Sequence, residues 1–183
     1  MITPNKKENT ANWYLLYTNP RAEKKVADEL QKQGFEFFLP LQRTLKVWSD
    51  RKKWVEEPLF KSYIFLNTEL ERNYYNILNT NGVVKFIKFQ NEIAKVDARE
   101  IELVKLMLGN IEEMEVLAAE MPQTGDEIEI IAGPLIGTKG KLIEHQGNKN
   151  VLISLETMQQ NLALHIQSTY IRKIVNADLS FGF

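Results

Sequence analysis

The segment 63–66, within the stretch EEPLFKSYIFLN, constrains the fold more than any other part of the sequence, because both of its faces are apolar. Its large apolar residues predict a β-strand, and side chains alternate across a strand. Tyr63 and Phe65 therefore face one side of the predicted sheet, and Ile64 and Leu66 face the other. A layer of helices can bury one face, while the other needs either further helices of this chain or a protein partner.

The composition excludes several classes of protein. The 183 residues include no cysteine, which rules out disulfides, thiolate metal sites and a thiol nucleophile. Because no apolar run approaches the roughly 20 residues of a transmembrane helix, we expect no membrane contact and a cytoplasmic location. A general nucleic-acid binder is usually strongly basic, whereas the net charge here is −1. Any contact with nucleic acid is therefore expected to come from a local basic patch.

Strand and helix patterns mix in the first half of the chain, which predicts an α+β sandwich domain over residues 13–108. For the first helix, Asn19 is the predicted N-cap, Pro20 fits the first turn and Gly34 supplies the stop. Two β-like runs flank the basic sequence SDRKK at 49–53 and predict a hairpin. The other predicted elements are strands at 13–18, 35–40, 62–67 and 83–96, and helices at 71–82 and 97–110.

The second half of the chain has an all-β pattern. Five short strand patterns separated by turns predict a small β-barrel over residues 124–175. The acidic segment 109–123 is the predicted linker between the two domains. The polar residues 1–12 are predicted to be a disordered arm, and 176–183 form a C-terminal tail without a usable pattern.

The stretch LETMQQNLALHI in this second domain fits two structures. Leu155, Met158, Leu162 and Ile166 recur at helical spacing, whereas Leu162, Leu164 and Ile166 alternate as in a strand. The residues alone leave both possibilities open.

The sequence offers no convincing catalytic or metal site. His145 and His165, the only histidines, fall in strand-like runs, where half-exposed strand residues are the ordinary explanation. Metal ligands would need convergent histidine or carboxylate spacing, which is missing. We therefore expect a protein that is not an enzyme and that needs no cofactor.

The glycine-rich sequence GPLIGTKGK invites comparison with two nucleotide-binding loops. A P-loop fails because Leu142 follows Gly140 and Lys141, where serine or threonine is required. The sequence at 137–140 does match the GXXG loop of KH domains, but that loop joins helices and the flanks here alternate like strands. The ordinary interpretation is a turn whose glycines permit positive φ and a close approach of strands.

Two groups of residues are candidates for binding. Basic side chains gather at the start of the first helix and at the hairpin tip, where they fit either phosphate contacts or a solvated face. Aromatic side chains lie on or beside the predicted strands and fit either a partner site or a sheet buried between helices. The basic candidates are Arg21, Lys24, Lys25, Arg51, Lys52 and Lys53, and the aromatic candidates are Tyr17, Phe60, Tyr63, Phe65 and Phe89.

Several motifs together resemble the NusG family of transcription elongation factors. The sequences WYLLYTNPRAEKKVADELQKQG, EEPLFKSYIFLN and NTNGVVKFIKF resemble its N-terminal domain, and GDEIEIIAGPLIGTKGK resembles its KOW motif. The resemblance covers about residues 13–174 and is closest in style to specialised paralogues such as RfaH and the UpxY antiterminators. It implies a NusG-type α/β domain joined by an acidic linker to a small KOW β-barrel, with a KOW motif at Gly133, Pro134, Gly137 and Gly140.

The resemblance also implies partners. The aromatic candidates would bind the clamp helices of the RNA polymerase β′ subunit, and Asn73, Tyr74, Tyr75 and Asn76 would contact the β-subunit gate loop. Of the basic candidates, Arg21, Lys24 and Lys25 lie where specialised members of the family contact the non-template DNA of the transcription bubble. For the KOW domain, the resemblance implies the termination factor Rho or a small-subunit ribosomal protein.

The expected function is suppression of pausing or termination at specific operons such as polysaccharide loci, through a factor that bridges the polymerase cleft and favours a closed clamp. The alternative from another class is an RNA-binding KOW protein of the ribosome or of translation. An unrelated structural domain is a third possibility.

Overall fold

The computed structural model describes the residues of the chain in seven ranges: 11–47, 51–110, 114–118, 125–145, 148–156, 159–166 and 168–174. The chain divides into two compact units, Met1–Ile101 and Glu102–Phe183. Within the described ranges, no helix is both long enough and apolar enough to cross a membrane.

An antiparallel sheet forms the centre of the first unit. Its strands are β1 (Asn12–Thr18), β2 (Glu36–Phe38), β5 (Tyr63–Thr68) and β6 (Val83–Phe86), in the order β2-β5-β1-β6. The short strand β9 (Lys95–Val96) also pairs with β1. The strands predicted at 13–18 and 62–67 are thus confirmed, and the first lies at the middle of the sheet.

One face of this sheet is covered by helices α1 (Glu23–Lys32) and α2 (Leu70–Leu78). Ile64 and Leu66 of β5 lie on this face, and the core that they enter also contains Tyr14, Leu16, Val26, Ala27, Leu30, Ile77 and Phe86. Each fully buried aliphatic side chain of this kind contributes about 1.5–3 kcal/mol. The sequence spaces Ala22, Val26 and Leu30 four residues apart, which predicts a buried stripe on this helix. Val26 and Leu30 are fully buried and Ala22 is half-buried against the same core, so the prediction is confirmed.

The two ends of α1 differ in how well the sequence predicted them. The helix begins at Glu23, with Ala22 as N-cap, so the prediction of Asn19 as cap is wrong. The backbone of Asn19 is used elsewhere: its N–H donates to the Gly82 carbonyl at 2.9 Å, and its carbonyl accepts from Ala22 at 3.1 Å. Arg21 adopts a left-handed φ of 63° in the intervening turn.

The stop at Gly34 is confirmed. Gly34 has a φ of 78°, its N–H donates to Gln31, and the N–H of Phe35 donates to Leu30, both at 3.0 Å. These two bonds define a Schellman motif. Helix α2, by contrast, ends at Leu78, before the predicted stop at Gly82.

Two hairpins stand outside the central sheet. The predicted hairpin consists of β3 (Leu41–Val47) and β4 (Lys52–Pro58), which pair with each other and with no other described strand. Residues 49 and 50 of its predicted tip (49–53) lie outside the described ranges, as does the flanking residue 48. The second hairpin, β7 (Lys88–Phe89) with β8 (Glu92–Ile93), turns at two residues of positive φ, Gln90 and Asn91, as a type I′ turn requires.

The segment predicted as a linker contains regular structure. Helix α3 (Ala98–Asn110) is capped by Asp97, whose carboxylate accepts from the N–H of Arg99 at 2.8 Å. Strand β10 (Met114–Ala118) lies within the predicted linker 109–123 and pairs with β14 (Gln160–Leu164). Five residues of that segment therefore belong to a sheet, since their backbone groups bond to a strand far along the chain.

The second unit is an antiparallel six-stranded sheet. Its other strands are β11 (Asp126–Ile130), β12 (Lys139–His145), β13 (Asn148–Leu155) and β15 (Ile171–Lys173), and the order is β10-β14-β13-β12-β11-β15. Among the described residues no pairing joins β10 to β15, so the prediction of a closed barrel is not met and the sheet is open. Leu162 and Leu164 are buried on β14, which agrees with the strand interpretation of that stretch.

The glycine-rich turn joins β11 to β12. Gly133 and Gly137 have φ values of 80° and 85°, and a Cβ on Gly140 would lie 2.6 Å from the carbonyl oxygen of Leu152 on β13. The interpretation as a turn with a close strand approach is confirmed. The flanking strands exclude the KH alternative. Residues 1–10 of the predicted arm (1–12) and the whole predicted tail (176–183) lie outside the described residues, whereas Asn12 belongs to β1.

Candidate functional site

A pair of tyrosines marks the face of the sheet opposite α1 and α2. Tyr17 on β1 and Tyr63 on β5 are register partners, and their ring centroids lie 5.5 Å apart in an edge-to-face arrangement. Both side chains are half-buried. Lys85 of β6 is the register partner of Tyr17 on the other side and places its Nζ 5.8 Å from the ring centroid. Burial raises the pKa of Tyr63 above its ordinary value, and the neighbouring Tyr17 raises it further.

Phe60 and Phe65 do not offer the exposed surface that the partner-site interpretation expects of them. They are 2% and 1% exposed. Phe65 stacks on its register partner Phe38 at 5.8 Å and meets Phe60 edge-on at 6.0 Å, so the three rings cover one another. In this conformation, the two phenylalanines support the tyrosine pair from within the unit and are not available for direct contact with a partner.

Phe89, the fifth aromatic candidate, is 53% exposed but belongs to the β7–β8 hairpin. In this hairpin Lys88 pairs with Ile93, and Ile93 packs against the helix-covered core. Because side chains alternate along a strand, Phe89 points to the opposite side of this hairpin. The structure thus brings Tyr17 and Tyr63 together and places Phe89 on a separate element.

Buried hydrogen bonds fix the backbone just before Tyr63. The N–H of Ser62 donates to the carboxylate of Glu23 at 2.6 Å, and the Ser62 carbonyl accepts from the N–H of Thr18 at 2.8 Å. Glu23 is 5% and Ser62 7% exposed, and Ser62 has a φ of 66°. The first turn of α1 therefore sets the position at which β5 begins, and with it the position of Tyr63.

A basic pocket lies between α1 and the β3–β4 hairpin, with a volume of about 690 Å³. We call it the Trp54 pocket, and its lining residues are Lys24, Arg43, Lys53, Trp54, Val55 and Glu56. Lys24 donates from Nζ to the backbone carbonyl of Glu56 at 2.8 Å, which ties the helix to the hairpin. The guanidinium carbon of Arg43 lies 5.1 Å from the centre of the Trp54 ring, within the range of a cation–π contact.

The basic candidates of the sequence are thus only partly united. Lys24 of the helix group and Lys53 of the hairpin group line the same pocket. The sequence did not predict this, because the two residues are far apart in the chain. Arg21, Lys25 and Lys52 are exposed, like Arg51, and lie outside its lining. Arg43 was missed. The register of the predicted hairpin could have identified it, because that register pairs Arg43 with Glu56, two residues from Trp54.

The residues suggested for a gate-loop contact have different environments on α2. Tyr74 stacks on Phe86 at 5.5 Å and packs against the core, whereas Tyr75 is 77% exposed. Asn73 donates to Thr68 Oγ1 at 3.0 Å. Asn73 and Asn76 line an open groove of about 610 Å³. The exposed members of the set are therefore Tyr75 and Asn76.

Comparisons with known proteins agree on one family. A NusG family model, described as transcription termination factor nusG, matches residues 11–105, which include the tyrosine pair and the Trp54 pocket. The transcription termination/antitermination protein NusG of Halalkalibacterium halodurans is 23% identical over 178 residues, covering 89% of this chain and 98% of the relative. Its namesake from Bacillus subtilis is 22% identical over 177 residues, with the same coverage of both chains.

A solved structure of Thermotoga maritima NusG, titled for its domain interaction, is similar in fold. It superposes with a TM-score of 0.59 at 19% identity and covers 91% of this chain and 98% of its own. At this identity, the likeness supports the mixed α/β fold.

Proposed function

Because the chain belongs to the NusG family of transcription termination/antitermination factors, we propose that it is an elongation and antitermination factor that binds RNA polymerase. The observation that carries the proposal is the half-buried tyrosine pair, Tyr17 and Tyr63, on the sheet face opposite α1 and α2. Half-buried tyrosines of this kind combine a large apolar area with a hydrogen-bonding tip, as at the centres of protein interfaces.

In the proposed complex, Tyr17, Tyr63 and Phe89 meet the clamp helices of the β′ subunit, with Phe60 and Phe65 as the packed support behind them. Tyr75 and Asn76 at the exposed side of α2 meet the gate loop of the β subunit. The tyrosine pair lies on β1 and β5, whereas the proposed gate-loop contact lies on α2. The first unit therefore has two separate candidate surfaces, which suits a protein that contacts both sides of a cleft.

The mechanism requires no covalent chemistry. A factor that contacts both sides of the polymerase cleft stabilises the closed clamp, because only that state satisfies both contacts. To reverse an equilibrium from 1:99 to 99:1, the factor must favour the closed state by about 5.5 kcal/mol. Paused states with an open clamp then lose population, and transcription continues through pauses and terminators.

The remaining parts of the proposal concern the partners. The basic side chains beside α1 and on the hairpin contact the non-template DNA, and the factor acts in the cytoplasm at specific operons. The second unit acts as a KOW domain that binds a ribosomal protein or Rho. The alternative of an RNA-binding ribosomal protein is not favoured, because the family match includes the whole described sheet of the first unit.

The test is single-round transcription by the polymerase of the source organism on templates with strong pauses. Replacing Tyr17 and Tyr63 by alanine removes two interface side chains, so the double variant should need at least a 10-fold higher concentration than wild type to shorten pauses. Val84→Ala changes an exposed apolar residue of β6 and is the matched control, with activity expected to be unchanged. Circular dichroism verifies that each variant is folded.

Two outcomes would contradict the proposal. One is a wild-type protein that leaves pausing unchanged on several templates, including operon leader sequences. The other is a folded double variant that is as active as wild type, which would remove the tyrosine pair from the interface.

A further inference from the structure

Residues 59–62 join β4 to β5 and lead directly into Tyr63. Leu59 and Phe60 are buried, so the first half of this segment is anchored by its side chains. Ser62, the last residue before the strand, has a left-handed φ of 66°. A residue other than glycine keeps this conformation only where the surrounding contacts impose it. The contacts of Ser62 therefore decide where Tyr63 begins β5.

Two main-chain hydrogen bonds hold Ser62 in place. Its N–H donates to the carboxylate of Glu23 at 2.6 Å, and its carbonyl accepts from the N–H of Thr18 at 2.8 Å. Thr18 directly follows Tyr17 and Ser62 directly precedes Tyr63, so the second bond lies one residue from each member of the tyrosine pair. Because Glu23 and Ser62 are buried, water is a poor substitute for the first bond if the carboxylate is removed.

Glu23 belongs to a helix that is itself firmly held. Val26, one turn further along α1, is fully buried against the sheet. The next residue after Glu23, Lys24, donates to the carbonyl of Glu56 at 2.8 Å, on the hairpin side of residues 59–62. The first turn of α1 thus holds the chain both before and after this segment, and the anchored helix sets the position of the strand that follows.

We propose that Glu23 is a positioning residue for polymerase binding: its buried carboxylate keeps Tyr17 and Tyr63 in the arrangement that polymerase recognises, and it does not touch polymerase itself. The inference rests on the proposed function, which places the tyrosine pair at the interface. Interface side chains bind well when the residues behind them lock their conformation before the partner arrives. Loss of the carboxylate leaves both tyrosines in the chain but frees the start of β5, so the affinity for polymerase falls.

The first experiment measures the affinity of the full chain for core RNA polymerase of the source organism, without nucleic acid, where circular dichroism shows each variant to be folded. Substitutions that do not touch the ligand change a coupled affinity by about 2- to 30-fold, and Glu23→Ala should weaken binding within this range. Glu23→Gln keeps an oxygen that accepts from Ser62 and should retain most of the affinity. Glu29→Ala changes another glutamate of the same helix and, as the matched control, should bind like wild type.

The double variant Glu23→Ala/Ser62→Gly separates position from stability. Glycine adopts the left-handed φ without steric strain, so the second substitution should restore part of the unfolding free energy that Glu23→Ala loses. It does not restore the missing acceptor, so the affinity for polymerase should stay low. A purely structural role for Glu23 predicts instead that affinity recovers together with stability.

The second experiment observes the tyrosine pair without polymerase, by fluorine-19 NMR of the full chain labelled with 3-fluorotyrosine. Tyr17→Phe and Tyr63→Phe assign the two resonances. The ring centroids lie 5.5 Å apart edge to face, so each resonance is sensitive to the position of the other ring. Glu23→Ala should move both resonances, whereas that of Tyr170 in the second unit should stay in place.

Each contrary outcome has a distinct meaning. If Glu23→Ala binds polymerase like wild type, the inference is wrong and the tyrosine interface still stands. Recovery of affinity in the double variant, or unmoved resonances of Tyr17 and Tyr63, would show that Glu23 has a structural role alone. Equal losses of affinity in Glu23→Gln and Glu23→Ala would exclude the hydrogen bond as the cause. A wild-type protein that does not bind polymerase overturns the proposed function, and this inference with it.

Discussion

Glu23 is predicted to control the stability of the first unit through a single buried hydrogen bond. Its carboxylate accepts from the Ser62 N–H at 2.6 Å, and both residues are nearly inaccessible to water. Glu23→Ala removes the acceptor and leaves a buried N–H without its partner. A hydrogen bond to a charged group contributes about 1.5–3 kcal/mol, and the negative charge in the first turn of α1 contributes about 0.3–1 kcal/mol more. The expected loss is therefore about 2–4 kcal/mol, out of a typical domain stability of about 5–15 kcal/mol.

Tryptophan fluorescence in a urea titration measures this loss in the intact chain. All three tryptophans, Trp13, Trp48 and Trp54, belong to the first unit, so the signal reports its unfolding. Glu23→Gln keeps an oxygen that can accept the same bond, and it should lose less than half as much as alanine. Glu29→Ala removes a partly exposed glutamate of the same helix, whose ion pair with Lys32 lies at the surface; it is the control and should leave the midpoint nearly unchanged.

The reasoning is refuted if glutamine is as destabilising as alanine, because the lost charge, and not the hydrogen bond, would then explain the effect. It is also refuted if alanine shifts the unfolding free energy by less than about 0.5 kcal/mol, the range of ordinary surface substitutions.

Two further predictions concern other parts of the molecule. Gly140→Ala should destabilise the second unit by about 1–3 kcal/mol, because the new Cβ would lie 2.6 Å from the Leu152 carbonyl oxygen; an unchanged amide-exchange rate in β12 and β13 would contradict this. Tyr63 should ionise above the ordinary tyrosine pKa, because burial and then Tyr17 disfavour its anion. Its contribution to stability is present below the unfolded pKa of about 10 and is lost as the pH rises through the higher folded value. Tyr63→Phe should remove late-titrating tyrosinate absorbance, and loss of early-titrating absorbance instead would show that the phenol is not shielded.

The parts of the fold that follow from local sequence were predicted well. Two-sided apolar character identified β5, the spacing of Val26 and Leu30 identified the buried face of α1, and Gly34 identified its end. Each of these signals depends on residues that are close together in the sequence.

The errors have long-range causes. Asn19 looked like a helix cap, but its N–H bonds to Gly82, and the chain turns through Arg21 before α1 begins. The acidic surroundings of β10 suggested a linker, yet its strand structure comes from pairing with β14. A sequence pattern does not show which distant segment supplies such a partner.

The candidate surfaces show the same division. Sequence position selected Tyr17 and Tyr63 correctly as neighbours on adjacent strands, but it did not show that Phe38 and Phe60 bury Phe65. It also assigned Lys24 and Lys53 to separate groups, whereas packing of α1 against the hairpin brings both into the Trp54 pocket.

The central position of β1 has a consequence for how the protein is made. This strand is synthesised before its neighbours, because it pairs with β5, β6 and β9, which follow α1 and the β3–β4 hairpin in the chain. Pairing between distant segments is slow, since the loop between them must close first, whereas the β3–β4 hairpin needs only local contacts. On the ribosome, β1 therefore has no partner strand until β5 has been synthesised, and the tyrosine pair can form only after the β3–β4 hairpin is complete in the chain.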